Sequence, residues 1–546
     1  MFFSNTSKIM VTIDTKSLFG VRIKENTLNN LIMNDDFPCI QYIYNLSVLL
    51  KKEQNNMNDL DEYKKIFYDN KNIFKDLGEG IFNNLNKENL FDKNNTLFSY
   101  FSCINLIARI LKYGKFKNNV KLNCDDKSLT ITLLLNVFET EIDEELDNNE
   151  QNPTFLNLYL SVIGYNQFSN DISCSNYFRL PYLYENYISK NSFVEKSFLQ
   201  QNGYSIKAYI LFLQIFLLFG SYNNPLINIS LNNTDLAKEI DLCIRKHIFN
   251  YYSKNEKNNI IINSYIPSKN IIDFPIITFN DNYIVLNPGF MLSRIHRIFF
   301  ENIKKALPKS YFNKTFYGPL FENYCKNIAK INISRSNFKY YNYIDTFKYH
   351  YNKNSKESSD FYINYNDITI IFEIKSTTRY KETTTETNLI GKEKYIDKEV
   401  DTKIIKPFNQ IENRLSEILK LNPTHYPNIQ QELIKIQNSK KFYYVVVSDE
   451  SIINNILFYN TYLSKLKPKY SNYIPLYINI SEFEYLMMSL YKRKKAIHTV
   501  LEHYHKNYYS SNLYEMILKE KTTYKFKRLD IFNKKIYEND LKKILL

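Results

Sequence analysis

Residues 360–375 read DFYINYNDITIIFEIK. Two runs of β-branched and aromatic residues flank Asn366-Asp367, residue types that tolerate left-handed backbone, so the stretch reads as a β-hairpin turning on that pair. Facing residues then have numbers summing to 733, as 366 and 367 do, which sets Asp360 opposite Glu373. Opposed side chains on an antiparallel pair share a face with Cβ atoms about 4.5–5.5 Å apart. Lys375 joins that face by the two-residue period of a strand. Two carboxylates and an ammonium are thereby expected at one spot.

Like charges opposed across strands destabilise the pair unless something neutralises them. A divalent cation does so: Mg²⁺ takes hard oxygen ligands at about 2.0–2.1 Å and keeps several waters. Lys375 would orient an attacking water and offset charge developing on a phosphate. The competing account is an ordinary exposed Asp–Glu–Lys cluster on a sheet.

An Asp at a strand start followed by Glu-x-Lys closing the next strand resembles the signature of the PD-(D/E)xK, or restriction-endonuclease-like, phosphodiesterases. The matching residues are Asp360 and Glu373-Ile374-Lys375, with Ser359 standing where the family has Pro. The resemblance covers roughly residues 311–497, and Glu-x-Lys is unspecific by itself, since Glu62-Tyr63-Lys64 also fits. It implies an α/β fold with an αβββαβ core, and Mg²⁺ (Mn²⁺ as a substitute) held by Asp360, Glu373, the Ile374 carbonyl and Glu322. It also implies Lys375 at the attacking water and Gln410, or less favourably Arg414, touching the water or the phosphate. The implied partner is nucleic acid, DNA before RNA.

A chain of 546 residues is too long for one ordinary core. Sparse Gly (10), no Trp and dense Asn, Lys, Ile and Tyr reflect coding bias, so raw lysine content says little. The placement of charge says more. Residues 1–300 carry 30 Lys and Arg against 31 Asp and Glu, a net −1; residues 301–546 carry 41 against 26, a net +15. The basic half is suited to a polyanion. The cysteines (Cys39, Cys103, Cys124, Cys174, Cys243, Cys325) form no Cys-x-x-Cys pair, which points to buried free thiols in a reducing compartment. Met1 to Lys8 lack the layout of a secretory signal, and the longest apolar run, Ala208–Phe219, is interrupted by Gln214 and falls short of the roughly 20 residues of a membrane span. The expectation is a soluble cytoplasmic protein. No Gly-x-x-x-x-Gly-Lys, Gly-x-Gly-x-x-Gly or Gly-x-Ser-x-Gly occurs, which argues against an ATP motor, a dinucleotide enzyme or a serine hydrolase.

The division expected along the chain is a mainly helical region over 1–255, a hairpin–helix bridge over 256–310, the nuclease-like domain over 311–497 and a basic extension over 498–546. A short strand pair is expected near Ile9–Ile13 and Leu18–Ile23. Helical periodicity follows over Ile40–Lys51, Leu97–Leu111, Leu129–Phe138 and Tyr204–Phe219. Glu139–Glu150 reads as a solvated acidic loop. Ile271–Phe279 and Tyr283–Leu286 flank Asn280-Asp281-Asn282 as a hairpin, and Phe290–Ala306 reads as a helix. Gly318-Pro319 opens a helix with Glu322 on the border of its apolar face. Phe338–Tyr351 reads as one long strand, Ser376–Lys403 as a polar flap or insert, and Ile404–Leu421 as a helix. Phe442–Val447 and Tyr473–Ile480 are strands, and Ser481 with Glu484 makes a capping box for a helix over Glu482–Ala496. Lys492-Arg493-Lys494-Lys495 and Lys521 to Arg528 interleave bases with aromatics, which suits phosphate contact and base stacking.

The leading expectation is therefore a Mg²⁺-dependent nuclease, with bacterial antiviral defence as its setting by analogy alone. The rivals are a nucleic-acid-binding scaffold that keeps the fold without cutting, and an N-terminal toxin-like or protein-interaction module for which the nuclease fold serves as a dock.

Overall fold

In the computed structural model the described residues are 11–12, 25–54, 95–96, 100–117, 174–220, 225–262, 269–287, 290–291, 298–334, 341–376, 400–449, 473–492 and 496–506. Residues 122, 132, 135, 139, 466, 540–541 and 543–545 are described as well. The Leu18–Ile23 strand, His296, most of the polar stretch Ser376–Lys403, Arg493-Lys494-Lys495 and Lys521 to Arg528 lie outside them. The chain forms two compact units: Met1–Ser7, Ser173–Val194 and Phe299–Phe532 in one, and Lys8–Ile172, Glu195–Ile298 and Asn533–Leu546 in the other. The expected bridge is thus divided at residue 298, and residues 173–194 fold with the C-terminal sequence. No helix among the described residues is long and apolar enough to cross a membrane.

The second unit is helical around an apolar centre that includes Ile43, Leu46, Ile104, Ile107, Leu111, Ile277 and Ile284. The helices Cys39–Gln54, Tyr100–Tyr113 and Ile206–Gly220 match the expected periodic runs. Ala208 to Phe216 are buried all round, as a core helix requires. Of the expected acidic loop only Glu139 is among the described residues, and it departs from that reading: it is helical, fully buried, and accepts from Arg109 Nε at 2.7 Å, while residues 140–150 and most of Leu129–Phe138 lie outside the described residues. Val11–Thr12 pairs in parallel with Asn95–Thr96, a partner far along the chain. The bridge hairpin is Ile276–Phe279 against Asn282–Val285, because Asn280 and Asp281 both take positive φ and close a two-residue turn, while Lys269–Asp273 is helical.

The first unit is a mixed α/β assembly. The elements that position the site are α1 (Cys174–Leu183), α2 (Gly318–Ser334), β1 (Asn342–Asp345), β2 (Lys348–Tyr351), β3 (Asn354–Glu357), β4 (Phe361–Tyr365), β5 (Ile368–Lys375), α3 (Lys406–Ile418), β6 (Lys441–Ser448), β7 (Tyr473–Asn479), α4 (Ile480–Lys492) and α5 (Ile497–Lys506). One five-stranded sheet runs β7-β6-β5-β4-β1. β1, β4 and β5 are antiparallel neighbours, and β5, β6 and β7 are parallel. β6 is buried from Phe442 to Ser448 because helices cover both of its faces.

The faces of the sheet are set by the strand period. Phe361 and Phe372 stack at 4.4 Å on one face, and Phe483 of α4 packs edge-on against both. Ile371, Glu373, Tyr444 and Tyr473 share the other face, over which α3 lies: Tyr473 Oη donates to Glu412 at 3.0 Å and Tyr473 stacks on Tyr444. The expected long strand Phe338–Tyr351 is broken. Asp345 turns back to accept from Thr346 N at 2.9 Å, Phe347 N donates to Ser358 Oγ, and β2–β3 forms a separate two-stranded ribbon. The capping box also moves: Asn479 Oδ1 accepts from Glu482 N and Glu482 Oε2 from Asn479 N, both at 2.9 Å. Glu484 is drawn instead into a buried pair with Arg179.

Candidate active site

The ladder between β4 and β5 runs from Tyr365↔Ile368 to Phe361↔Phe372, the register in which facing numbers sum to 733. Asn366 takes φ 54° at the reversal, the left-handed conformation its side chain tolerates. The ladder ends one residue before Asp360 and Glu373. There the Asp360 carboxylate lies against the end of β5 and accepts from Ile374 N at 2.6 Å. N–H and C=O of one strand residue point toward the same neighbour, so the Ile374 carbonyl faces that side as well.

Glu373 is 1% exposed, and its charge is met by two cations. Oε1 accepts from Lys375 Nζ at 2.8 Å and from Arg414 Nη1 at 3.0 Å, and Oε2 accepts from the same Nη1 at 2.8 Å. Lys375 is brought there by the strand period and Arg414 by α3. Gln410, one turn earlier on α3, is exposed, and no hydrogen bond ties it to the cluster among the described residues. The residue of α3 that reaches the acids is therefore Arg414.

Glu322 stands in the first turns of α2, where its carboxylate accepts from Lys326 Nζ at 2.6 Å. The buried Lys326 also reaches Asp345 at 3.4 Å, and Lys330 reaches the other Asp345 oxygen at 2.6 Å. Lys326 and Asp345 escaped the sequence reading. Lys326 has a legible signal, since a Lys four residues after a Glu is the favoured helical ion pair. Asp345 had none, because the Tyr- and Phe-rich run around it reads as uninterrupted strand.

The electrostatics of the cluster follow from this crowding. Burial, then the charges of Glu373 and Glu322, push the Asp360 carboxyl up to about 8, against the opposing pull of Ile374 N–H and Lys375. Burial works against the charged form of Lys326, but Glu322, Asp345 and Asp360 outweigh it and raise its pKa. Arg414 behaves alike, with Glu373 and Asp360 outweighing burial. The acids Glu322, Asp345, Asp360 and Glu373 are thus interleaved with Lys326, Lys330, Lys375 and Arg414.

Among the described residues no three His, Cys, Asp or Glu side chains are assembled as a ready metal cage. The donor chemistry nevertheless suits a hard cation: Asp360, Glu373 and the Ile374 carbonyl offer oxygen only, and the burial and neighbouring acids that raise the Asp360 carboxyl are what a bound cation would offset. For Glu373 to serve, Arg414 must release at least one of its oxygens.

Comparison of the chain with protein-family models, with curated proteins and with solved structures finds no match in any of the three.

Proposed function

We propose that the chain is a Mg²⁺-dependent nuclease whose reaction centre is Asp360, Glu373 and Lys375, with DNA as the first substrate to test. The observation that carries this reading is the meeting of Asp360 and Glu373 at the end of one hairpin, next to a lysine, in the order the PD-(D/E)xK resemblance implies. The order of elements in the sheet supports it: α2, antiparallel β1, β4 and β5, then α3 and the parallel β6 give the helix–three strands–helix–strand sequence of that family. The charge excess of residues 301–546 is of the right sign for a phosphate backbone.

In this reading Asp360, Glu373 and the Ile374 carbonyl hold the ion, with Glu322 completing the shell once it parts from Lys326. The ion supplies Lewis-acid polarisation of the phosphate and a more acidic water. Lys375 would orient an attacking water, whose oxygen bonds to phosphorus as the P–O bond to the leaving strand breaks and the proton that the water gives up passes by way of solvent to the departing oxygen. The guanidinium of Arg414 holds Glu373 through a single nitrogen and has no other hydrogen-bond acceptor among the described residues, so its remaining donors are free to meet the phosphate.

One observation favours a second reading, a nucleic-acid-binding protein that keeps the fold without cutting: Glu373 is already neutralised by Arg414 and Lys375. Cleavage of labelled DNA and RNA across a Mg²⁺ series separates the two. Mg²⁺-dependent cutting by the wild type supports the nuclease. Salt-sensitive binding with no Mg²⁺-dependent cutting supports the scaffold.

A further inference from the structure

The β2–β3 ribbon, residues 348–357, enters none of the chemistry above, yet it is built with two unlike sides. Lys348 faces Glu357, Tyr349 faces Lys356, His350 faces Ser355 and Tyr351 faces Asn354. One row is anchored. Tyr349 is fully buried and donates to Glu417 of α3 at 2.8 Å, Lys356 pairs with the same carboxylate, and the Lys356 ammonium lies over the Tyr351 ring at 5.4 Å. Tyr426 clamps the backbone of His350 from both directions, accepting from its N at 3.2 Å and donating to its O at 2.9 Å. The other row, Lys348, His350, Ser355 and Glu357, is exposed along its whole length, as are Asn352, Lys353 and Asn354 at the tip.

The exposed row and the tip together are polar and biased positive: Lys348 and Lys353, with a histidine, against Glu357. The tip carries a second signal. Asn352 and Lys353 take φ 50° and 66°, the two-residue turn in which glycine ordinarily fills the second place. A lysine there takes the left-handed backbone that L-residues disfavour and sets an ammonium at the point of the ribbon. The ribbon is joined to the reaction centre at both ends of its anchorage. Glu417 is three residues beyond Arg414, and only Ser358 and Ser359, both buried, separate β3 from Asp360.

We propose that this ribbon enters a groove of double-helical nucleic acid and seats the duplex so that a backbone phosphate lies at Asp360 and Glu373. A two-stranded ribbon is one of the elements the major groove of B-form DNA admits. Lys353 and Lys348 meet phosphates on its walls, and His350, Asn352 and Ser355 present hydrogen-bonding groups to the base edges. The eight residues from Lys353 to Asp360, seven steps along the backbone, span at most about 25 Å even when extended, so a duplex gripped at the tip is within reach of the centre. The proposal rests on the nuclease reading for the purpose of the grip, but the grip is measured separately.

The test is binding of the full chain, with Ca²⁺ in place of Mg²⁺, to a labelled duplex and to its single strand, for wild type and for the combined variant Lys348→Ala, His350→Ala, Lys353→Ala. All three side chains are exposed, and circular dichroism checks that the fold is kept. The expected result is a loss of about tenfold or more in duplex affinity, a fall of about 1–2 in the slope of log affinity on log salt, and single-strand affinity unchanged within about twofold. Equal duplex affinity in variant and wild type overturns the proposal, as does an equal loss for duplex and single strand, or a wild type that does not bind duplex. A wild type that binds duplex and never cuts it with Mg²⁺ defeats the nuclease reading alone, and the ribbon then stands or falls on the variant.

Discussion

Two buried glutamates in the first unit are each gripped by an arginine, and their surroundings differ. Glu484 is sealed: Arg179 donates through Nε at 2.6 Å and Nη2 at 2.9 Å, Tyr324 adds a third bond at 2.5 Å, and Ser481 takes a further Arg179 bond. Arg179 is 3% exposed and Glu484 fully buried, so the pair is shut away from solvent. Glu373 is as deeply buried, but its partners Arg414 and Lys375 are each 28% exposed, Arg414 bonds through one nitrogen only, and Asp360 adds a second carboxyl. The sealed pair is a structural device that ties α1 to α4. The open one sets two acids, Asp360 and Glu373, against two partly exposed cations that can give way to an ion, an arrangement a purely structural pair does not need.

The largest effect expected from this contrast is on stability at the sealed pair. Arg179→Ala strands a buried carboxylate and lowers unfolding free energy by about 3–5 kcal/mol, read by urea denaturation; Glu373→Gln changes it by under about 1 kcal/mol because it also relieves Asp360. Equal losses at the two sites would erase the distinction. Next comes Arg414→Ala. It frees Glu373, so Mn²⁺ binding followed by calorimetry tightens by about tenfold, or 1.4 kcal/mol, while cleavage slows because the phosphate loses a donor. Weaker Mn²⁺ binding would mean that Arg414 props the acids rather than competing with the ion.

A smaller effect is expected in pH dependence. The native state keeps a proton on Asp360 up to about pH 8, whereas the unfolded chain gives it up near 3.8. The native state thus binds more protons across that window, and stability falls as pH rises from about 4 through about 8 when no divalent cation is present. The fall is on the order of 1 kcal/mol for a group partly open to solvent. Asp360→Asn flattens it, and a thermal-shift series against pH with chelator shows whether it does. The smallest is Tyr349→Phe, which removes one hydrogen bond to Glu417 and costs about 0.5–1.5 kcal/mol while leaving Mn²⁺ affinity unchanged.

The hairpin was the most legible part of the chain. A two-residue turn and a period of two leave a single register, and Asn366 supplies the left-handed residue where the reversal needs it. Position along α3 was less legible. Gln410 and Arg414 lie one turn apart on one helix face, and which of them reaches Glu373 depends on how far α3 slides along the sheet, a quantity no local pattern encodes. The capping box failed for a related reason. Asn479 with Glu482 and Ser481 with Glu484 share the same spacing, and the choice is made by Arg179, three hundred residues earlier in the chain. The ribbon stayed hidden because Asn352-Lys353 lacks the glycine that marks such turns, so Lys348–Tyr351 reads as the end of the long strand Phe338–Tyr351 and the polar Asn354–Glu357 carries no strand signal. The division into units was equally opaque, since residues 173–194 carry no composition shift that announces where they fold.

The central claim is that Asp360, Glu373 and Lys375 work together on a phosphodiester with a divalent ion. Its most direct test is the rate of DNA cleavage against Mg²⁺ concentration for wild type, Asp360→Ala and Lys375→Ala, each shown to be folded. The account predicts Mg²⁺-dependent cutting by the wild type and a loss of about a thousandfold, some 4 kcal/mol of transition-state stabilisation, in both variants. Equal rates in all three proteins would contradict it.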